Sequence, residues 1–339
     1  MAKKILLTGD RPTGKLHLGH YVGSLANRVK FQKEYDCFFI IADYQVLTDH
    51  IQDTKQVPQN VEEVILDWLS IGLDPKQSTF FIQSAVPQLA ELTMYFSMLV
   101  TIARLRRNPT IKSEAQNVRV DSDKDNITYG FLGYPISQAA DILLFQPDIV
   151  PVGEDQLPHI EQTREIAEKF NSLFGKVFKL PKAIVSENSR LPGLDGKSKM
   201  SKSLNNAIYL SDSADEVKKK VMTAFTDPTR IRATDPGHLQ GNVVFTYLDA
   251  FHPDSKELDL LKERYQKGAV GDVEVKKLLI EVLNNFLEPI RIKRKEFAKD
   301  KKYLHKIITA GCEKARGVGE KTMQEVRRAV HYDYPGLLG

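Results

Sequence analysis

Residues 4–20 read KILLTGDRPTGKLHLGH, and this stretch decides the fold. Its first part, from Lys4 to Thr8, is a short apolar run that ends at Gly9, a pattern typical of a buried β-strand. A helix is predicted from Leu18 to Tyr35. A strand that leads through a tight turn into a helix presents free backbone N–H groups at the helix start, where they attract phosphate.

Strands and helices alternate through the first half of the chain. Further strands are predicted at 37–42, 79–82 and 148–152, with helices at 57–73, 87–105, 134–145 and 155–174. The polar stretch at 106–126 has no clear period and is predicted to be a mobile loop or a segment that a partner orders. Such alternation implies a parallel sheet that is covered by helices on both faces. We therefore predict a Rossmann-like, doubly wound α/β domain over residues 1–190.

The pattern changes in the second half. Residues 191–206 are rich in Ser, Lys, Gly and Asn, which predicts a mobile loop. After this loop the periodicity is helical, with helices predicted at 214–225, 256–266, 273–299 and 312–330. We therefore predict a C-terminal α-helical domain over residues 207–339.

Composition limits the classes of function. The chain has 339 residues, of which 42% are hydrophobic and 27% charged, values that are ordinary for a globular protein. Its 2 cysteines lack CxxC spacing, so no metal site is predicted. The apolar run at the N-terminus is too short for a signal peptide and no window of about 18 apolar residues exists, so we predict a cytoplasmic protein without a membrane partner.

The net charge of +4 is too small to establish nucleic-acid binding by itself. Two local basic clusters, Arg104–Arg107 and Arg291–Lys295, are more informative. Each cluster either contacts phosphates or is a solvated helix face, and both interpretations stay open.

Two interpretations compete for the residues that follow the first strand. The sequence from Gly9 to Lys15 matches most of a P-loop, but Leu16 stands where that motif needs Ser or Thr to hold magnesium. The next four residues, His17-Leu18-Gly19-His20, resemble the HIGH motif of class I aminoacyl-tRNA synthetases. The P-loop interpretation is therefore dismissed.

The two histidines of this motif suit phosphate chemistry. His17 and His20 lie three residues apart, on one face of the first helical turn. There they can donate hydrogen bonds to a triphosphate and stabilise charge that develops as the α-phosphate is attacked. Gly19 leaves room for adenine or ribose against the backbone. The alternatives are two ordinary surface histidines or a metal pair, for which no third ligand is apparent nearby.

A second motif lies after the α/β region. Lys199-Met200-Ser201-Lys202-Ser203 is identical to the KMSKS loop of the same class. Two lysines on a mobile loop can neutralise the charge on a leaving pyrophosphate. Taken alone, the segment is equally a solvated linker. The order and separation of the two motifs are those that class I synthetases require, and together they predict this class.

Three further segments resemble bacterial tryptophanyl-tRNA synthetases. They are YPISQAADILL at 134–144, VPVGEDQ at 150–156 and HIEQTREIA at 159–167, and the similarity extends over nearly the whole chain. The resemblance implies ATP-dependent attachment of L-tryptophan to tRNA(Trp) through a tryptophanyl-adenylate intermediate. It also implies a homodimer whose interface is a helical insertion near 85–133. It further implies Mg²⁺ that arrives with ATP, and a helical domain that reads the anticodon.

The resemblance also implies a role for each matching residue. Catalysis is assigned to His17, His20, Lys199 and Lys202. ATP binding is assigned to Arg11, Pro12, Thr13, Gly19, His20, Gly153, Glu154, Asp155, Leu191, Lys199, Met200, Ser201, Lys202 and Ser203. Tryptophan binding is assigned to Leu7, Tyr134, Gln138, Asp141 and Gln156.

The aromatic pocket leaves a choice of substrate. Tyr134, Gln138 and Asp141 share one helix face, and Asp141 is expected to accept the indole N–H. The same three residues match the tyrosine pocket of tyrosyl-tRNA synthetases, because a phenol hydroxyl can also donate to Asp141. The segments at 150–156 and 159–167 favour tryptophan.

The sequence departs from many tryptophanyl-tRNA synthetases at two positions, where Gln138 replaces Met and Arg11 replaces Gln. Two other classes of protein share part of this pattern. A nucleotidylyltransferase that makes dinucleotide cofactors lacks the long helical tail after a KMSKS loop. A synthetase-like RNA-binding protein without catalysis is expected to have a broken motif, whereas His17, Gly19 and Lys202 are intact.

Overall fold

The structure of the chain is a computed structural model that describes residues 3–48, 51–52, 54–117, 127–185, 191–202, 204–230, 232 and 234–335. The predicted site residue Ser203 lies outside these described residues.

A parallel sheet forms the centre of the first half of the chain. Its strands within the described residues are β1 (Ile5–Asp10), β2 (Asp36–Ile41), β3 (Ser78–Ile82), β4 (Ile149–Val152) and β5 (Lys182–Val185). The strand order is β3-β2-β1-β4-β5, and all neighbouring strands of this described sheet are parallel. From β1 the chain adds β2 and β3 on one side and then β4 and β5 on the other, so the strand order reverses between β1 and β4. In such sheets ligands bind at this point, in the crevice at the carboxyl ends of the strands.

Both faces of the sheet are buried. Successive side chains of a strand point to opposite faces. Cys37 and Phe39 accordingly belong to one hydrophobic core, and Phe38 and Ile40 to a second. The prediction of a doubly wound α/β sheet is confirmed.

The helices follow in chain order and cover both faces and one edge of the sheet. They are α1 (Leu18–His20), α2 (Ala26–Glu34), α3 (Val57–Ser70), α4 (Gln88–Ser97), α5 (Ile102–Arg107), α6 (Pro109–Asn117), α7 (Tyr129–Leu143), α8 (Leu157–Phe174), α9 (Ala214–Met222), α10 (Val243–Phe251), α11 (Ser255–Gln266), α12 (Asp272–Lys299) and α13 (Lys301–Ala329). A π-helical turn, Tyr21–Leu25, joins α1 to α2 within the helix predicted at 18–35.

The prediction of one long helix at 87–105 is wrong. The structure has two helices there, α4 and α5, because Thr101 begins a new helix: its side chain accepts a hydrogen bond from the backbone N–H of Arg104. Such a hydrogen bond satisfies an N–H that has no partner within the helix.

The loop predicted at 106–126 is also wrong in part, because residues 109–117 form α6. Asn108 precedes this helix and is fully buried, and its amide donates to Gln162 Oε1 at 2.9 Å. A tertiary contact therefore fixes the start of a helix whose own sequence shows no clear period. Residues 118–126 lie outside the described part of the chain.

The C-terminal helices pack directly on the α/β sheet. Helix α13 lies against β3, where a Cβ on Gly311 would come within 1.8 Å of the Phe80 carbonyl oxygen, so only glycine permits this approach. The backbone N–H of Ile82 contacts Cys312 Sγ at 3.4 Å. Helix α13 thus covers an edge strand that would otherwise be exposed to pairing with another chain.

Within the described ranges, no helix combines the length and the apolar character that a membrane span requires.

Candidate active site

A cavity of about 1090 Å³ opens at the carboxyl ends of β1 and β4. This is where the strand order predicts a ligand site. Predicted site residues that line it come from sequence positions as far apart as 7 and 201. They are Leu7, Arg11, Tyr134, Gln138, Asp141, Gly153, Gln156, Lys199 and Ser201.

The histidine motif begins the helical segment after β1. Its backbone is held by strand-like pairing: Leu18 N donates to Ile208 O at 2.9 Å, and Leu210 N donates to Leu16 O at 3.0 Å. The Leu16 N–H donates to the buried Asp67 carboxylate at 2.8 Å. The start of the motif is therefore fixed by two segments that are distant in sequence.

The two histidine rings contact each other at the start of this segment, with their planes tilted by 44°. The ring centroids of His17 and His20 lie 3.8 Å apart, and His20 Nδ1 accepts a hydrogen bond from the His17 backbone N–H at 3.1 Å. Burial is the main cause that lowers the pKa of His17 to about 2 and the pKa of His20 to about 4. Both rings are therefore neutral hydrogen-bonding groups at pH 7.

The lysine-bearing segment contacts the histidine motif. Met200 Sδ lies 3.3 Å from the backbone nitrogen of Gly19, and a Cβ at Gly19 would lie 3.0 Å from the His17 ring. Lys202 Nζ donates to the Gly14 carbonyl at 2.9 Å and to Thr13 Oγ1 at 3.2 Å. Two motifs separated by more than 180 positions are thus in direct contact.

Burial lowers the pKa of Lys202 to about 8. Its ammonium group is only partly solvated, and a partly desolvated cation interacts more strongly with an anion than a solvated one does. His17, His20 and Lys202 lie beside the cavity-lining residues Lys199 and Ser201 and are not themselves among the residues that line the cavity. The neutral rings and the partly desolvated cation suit the binding of a phosphate chain.

The other residues that are predicted to bind ATP differ in their burial and in whether they line the cavity. Pro12 and Leu191 are buried, and Met200 N donates to Leu191 O at 3.4 Å. Glu154 and Asp155 are exposed in the 3-10 turn Glu154–Gln156 and are not among the residues that line the cavity. The residues on either side of this pair, at 153 and 156, do line it.

Asp141 lies at the other end of the cavity and is 5% exposed. Gln83 Nε2 lies 2.8 Å from each of its carboxylate oxygens and donates to them. Gln83 Oε1 accepts from the backbone N–H of Tyr44 at 3.0 Å, which fixes the orientation of the amide. Burial raises the pKa of Asp141 to about 7.

Gln83 was missed by sequence reasoning, although it carries a readable signal. It follows β3 directly, so it lies at the carboxyl end of a parallel strand, where ligand-binding groups collect. Its fully buried side chain then needs a partner, and that partner is Asp141.

Tyr134 and Gln138 line the cavity on the same helix as Asp141. The Tyr134 hydroxyl donates to Glu114 Oε2 at 2.8 Å and lies 3.0 Å from His159 Nε2. Gln138 Nε2 donates to Gln156 Oε1 at 3.4 Å. Sequence reasoning missed Glu114 and His159, because nothing local connects either residue to Tyr134.

A metal ion has no prepared site in the described part of the chain. No group of three or more His, Cys, Asp or Glu side chains there has a geometry that could hold one.

The comparison with protein families identifies the chain. The family model for tRNA synthetases class I (W and Y) matches residues 2–288. The chain belongs to this family. The sequence prediction of a class I synthetase is confirmed.

Individual relatives cover almost the whole chain. The tryptophan–tRNA ligase of Clostridium longisporum is 52% identical and the alignment covers 98% of each chain. The tryptophan–tRNA ligase of Streptococcus pneumoniae is 53% identical over 98% of this chain and 99% of its own. A crystal structure of the Campylobacter jejuni tryptophanyl-tRNA synthetase, complexed with ADP and tryptophan, superposes with a TM-score of 0.85 at 34% identity, covering 96% of this chain and 99% of that one.

Proposed function

We propose that the chain attaches L-tryptophan to tRNA(Trp) at the expense of ATP, through a tryptophanyl-adenylate intermediate. One cavity is lined both by the buried carboxylate of Asp141 and by Lys199 and Ser201, which flank Met200 at its contact with the histidine motif. This observation carries the proposal, because an amino-acid side chain and a nucleotide fit at opposite ends of the same space. The named ligases that are 52–53% identical support it.

The reaction consists of two substitutions. The tryptophan carboxylate attacks the α-phosphorus of ATP, the bond to the β-phosphate oxygen breaks, and pyrophosphate leaves. A ribose hydroxyl of the tRNA end then attacks the adenylate carbonyl, and AMP leaves. Both steps depend on alignment and on stabilisation of negative charge.

The histidine and lysine motifs supply this stabilisation in the proposal. Neutral His17 and His20 donate hydrogen bonds to the phosphate oxygens. Lys199 and Lys202 neutralise the pyrophosphate as it leaves, which requires Lys202 to exchange its contacts with Gly14 and Thr13 for contacts with phosphate oxygens. The ATP-binding residues are proposed as in the sequence prediction, including Ser203.

The amino-acid end of the cavity is proposed to select tryptophan. Asp141 accepts the indole N–H, while Tyr134 and Gln156 contact the α-amino group and Leu7 and Gln138 line the pocket. A buried carboxylate that a substrate leaves unpaired is costly, so aromatic amino acids without a donor are rejected.

Magnesium is proposed to accompany ATP rather than to occupy a protein site. Its contribution is the neutralisation of phosphate charge. The residues of the chain hold the phosphates themselves.

Each part of the chain is proposed to have its own role. Residues 1–190 form the catalytic domain, residues 191–206 move during catalysis, and the helical part over residues 207–339 binds the anticodon.

Within the basic cluster Arg291–Lys295, Arg291 and Arg294 are buried; Arg291 donates to Asp212 O and Arg294 pairs with Asp67. The exposed Lys293 and Lys295 are therefore the proposed tRNA contacts. Replacing both by alanine should flatten the salt dependence of tRNA binding, and an unchanged slope would reject this contact.

Dimerisation is proposed through the surface of α4 and α5. Met94, Met98 and Ile102 are 61%, 71% and 61% exposed there, and clustered apolar side chains of this kind suit a partner surface. Sedimentation should give a dimer mass, and a monomer at micromolar concentration would contradict it.

The cytoplasm is the proposed location, since translation consumes charged tRNA there.

Amino-acid-dependent ATP–pyrophosphate exchange tests the function. We expect exchange with tryptophan but not with tyrosine, followed by charging of tRNA(Trp) from a total tRNA pool. Exchange with tyrosine alone would show that the chain is instead a tyrosyl-tRNA synthetase. The absence of exchange with both amino acids would favour a protein without catalysis.

A further inference from the structure

The geometry points to Glu114 as the counter-ion for the α-ammonium group of the amino-acid substrate, acting through the Tyr134 hydroxyl. This inference rests on the proposed function and deepens it. Glu114 lies on α6, in the segment that the sequence predicted to be a loop, and it lines the cavity together with Tyr134 and Gln156.

The direction of each hydrogen bond around Tyr134 can be assigned. Asn108 Oδ1 accepts from the backbone N–H of Thr110 at 3.0 Å, so the amide nitrogen of Asn108 faces the other way. That nitrogen lies 2.9 Å from Gln162 Oε1 and 3.4 Å from His159 Nδ1. Because an amide nitrogen only donates, His159 Nδ1 is an acceptor and carries no proton.

The proton of the His159 ring is therefore on Nε2. Burial lowers the pKa of His159 to about 4, so the ring is neutral at pH 7 and carries one proton. His159 Nε2 lies 3.0 Å from the Tyr134 oxygen and donates to it. Tyr134 in turn donates its single proton to Glu114 Oε2 at 2.8 Å, since a carboxylate only accepts.

This directional chain leaves the Tyr134 oxygen as an acceptor. A hydroxyl has one proton and two lone pairs. The proton is directed to Glu114 and one lone pair to His159, so the second lone pair can accept an N–H from the substrate. An ammonium group has three N–H donors and no acceptor, and it suits this oxygen.

Glu114 supplies the charge that the ammonium group needs. Its carboxylate polarises the Tyr134 hydroxyl, and a hydrogen bond with an ionised partner is stronger than one between neutral groups. Glu114 is thus a positioning and specificity residue, and it takes no part in bond making.

The variant Glu114→Gln tests this role, because it removes the charge and retains an oxygen that can accept from Tyr134. We expect the KM for tryptophan in pyrophosphate exchange to rise by about 10-fold or more, as for the loss of a charged hydrogen-bond partner. The kcat and the KM for ATP should change by less than about 3-fold, since the phosphate end of the cavity is untouched.

Two analogues separate this role from a general loss of structure. Tryptamine keeps the ammonium group, and indole-3-propionate lacks it. Glu114→Gln should weaken inhibition by tryptamine by the same factor as it weakens tryptophan, and it should leave inhibition by indole-3-propionate unchanged. Equal weakening of all three ligands would show a structural role and overturn the inference, as would no change for any ligand.

Two further variants complete the design. In a Tyr134→Phe background, Glu114→Gln should add less than about 3-fold, because its effect passes through the missing hydroxyl. Glu161→Gln removes an exposed carboxylate from α8 and should leave all constants unchanged. If the wild-type protein fails to catalyse exchange with tryptophan, the proposed function is rejected. If the wild-type protein catalyses exchange but the effects of Glu114→Gln and Tyr134→Phe on the KM for tryptophan are fully additive, only the inference is rejected.

Discussion

His17 and Lys202 belong to two short runs of consecutive residues that meet beside Lys199 and Ser201, at one end of the cavity. At the end that holds Asp141, each functional group is instead oriented by a residue from a different element: Gln83 orients Asp141, and Glu114 and His159 orient Tyr134. The first end is encoded by local motifs and the second by tertiary contacts. Substitutions at the first end should therefore slow the chemical step, and those at the second should alter amino-acid binding.

The largest effect is expected for Lys202→Ala. Loss of the cation should slow adenylate formation by at least about 100-fold while tryptophan affinity barely changes, because the lysine acts on the leaving pyrophosphate. Rapid-quench rates and equilibrium tryptophan binding measure the two quantities. Lys197→Ala is the matched control, since this lysine is exposed in the same loop. Equal losses of rate and affinity would show that the two ends are not separable.

The second-largest effect is expected for Asp141→Asn, a substitution at the amino-acid end of the cavity. The KM for tryptophan should rise by about 10- to 100-fold, as for the loss of a charged acceptor. The kcat should change much less. An unchanged KM would show that the indole N–H binds elsewhere.

The same variant should increase thermal stability. Burial raises the pKa of Asp141 from 3.8 to about 7, so the folded chain binds more protons than the unfolded chain between these values, and its stability falls as the pH rises through this window. Asp141→Asn should therefore have the higher unfolding midpoint at pH 8, with an advantage that shrinks towards pH 4. A constant difference across this range would contradict the role of Asp141 ionisation.

A smaller effect is expected for Gln83→Leu. The Gln83 hydrogen bonds lower the pKa of Asp141, so their removal should move the protonation of Asp141 to higher pH. At pH 7 the KM for tryptophan should then rise by roughly 3- to 10-fold, and it should recover at pH 9 as the carboxylate ionises. Wild-type and variant profiles of KM against pH that coincide would show that Gln83 does not tune this carboxylate.

The parts of the fold that sequence predicted are those with a local cause. The sequence predicts β1 to β4 and the two motifs, because hydrophobic period and residue type alone determine them. The break at Thr101 and the helix after Asn108 were not predicted, since they depend on a side-chain cap and on a buried contact with Gln162. For the same reason, Arg291 and Arg294 look like surface charges in the sequence but are buried in the structure.

The crystal structure of the chain with tryptophan and a non-hydrolysable ATP analogue measures both ends of the cavity at once. The indole nitrogen should lie about 3 Å from an Asp141 oxygen. The triphosphate should lie between the His17–His20 pair and the two lysines of the loop. An indole that does not contact Asp141, or a triphosphate that contacts only one of the two motifs, would contradict the assignment.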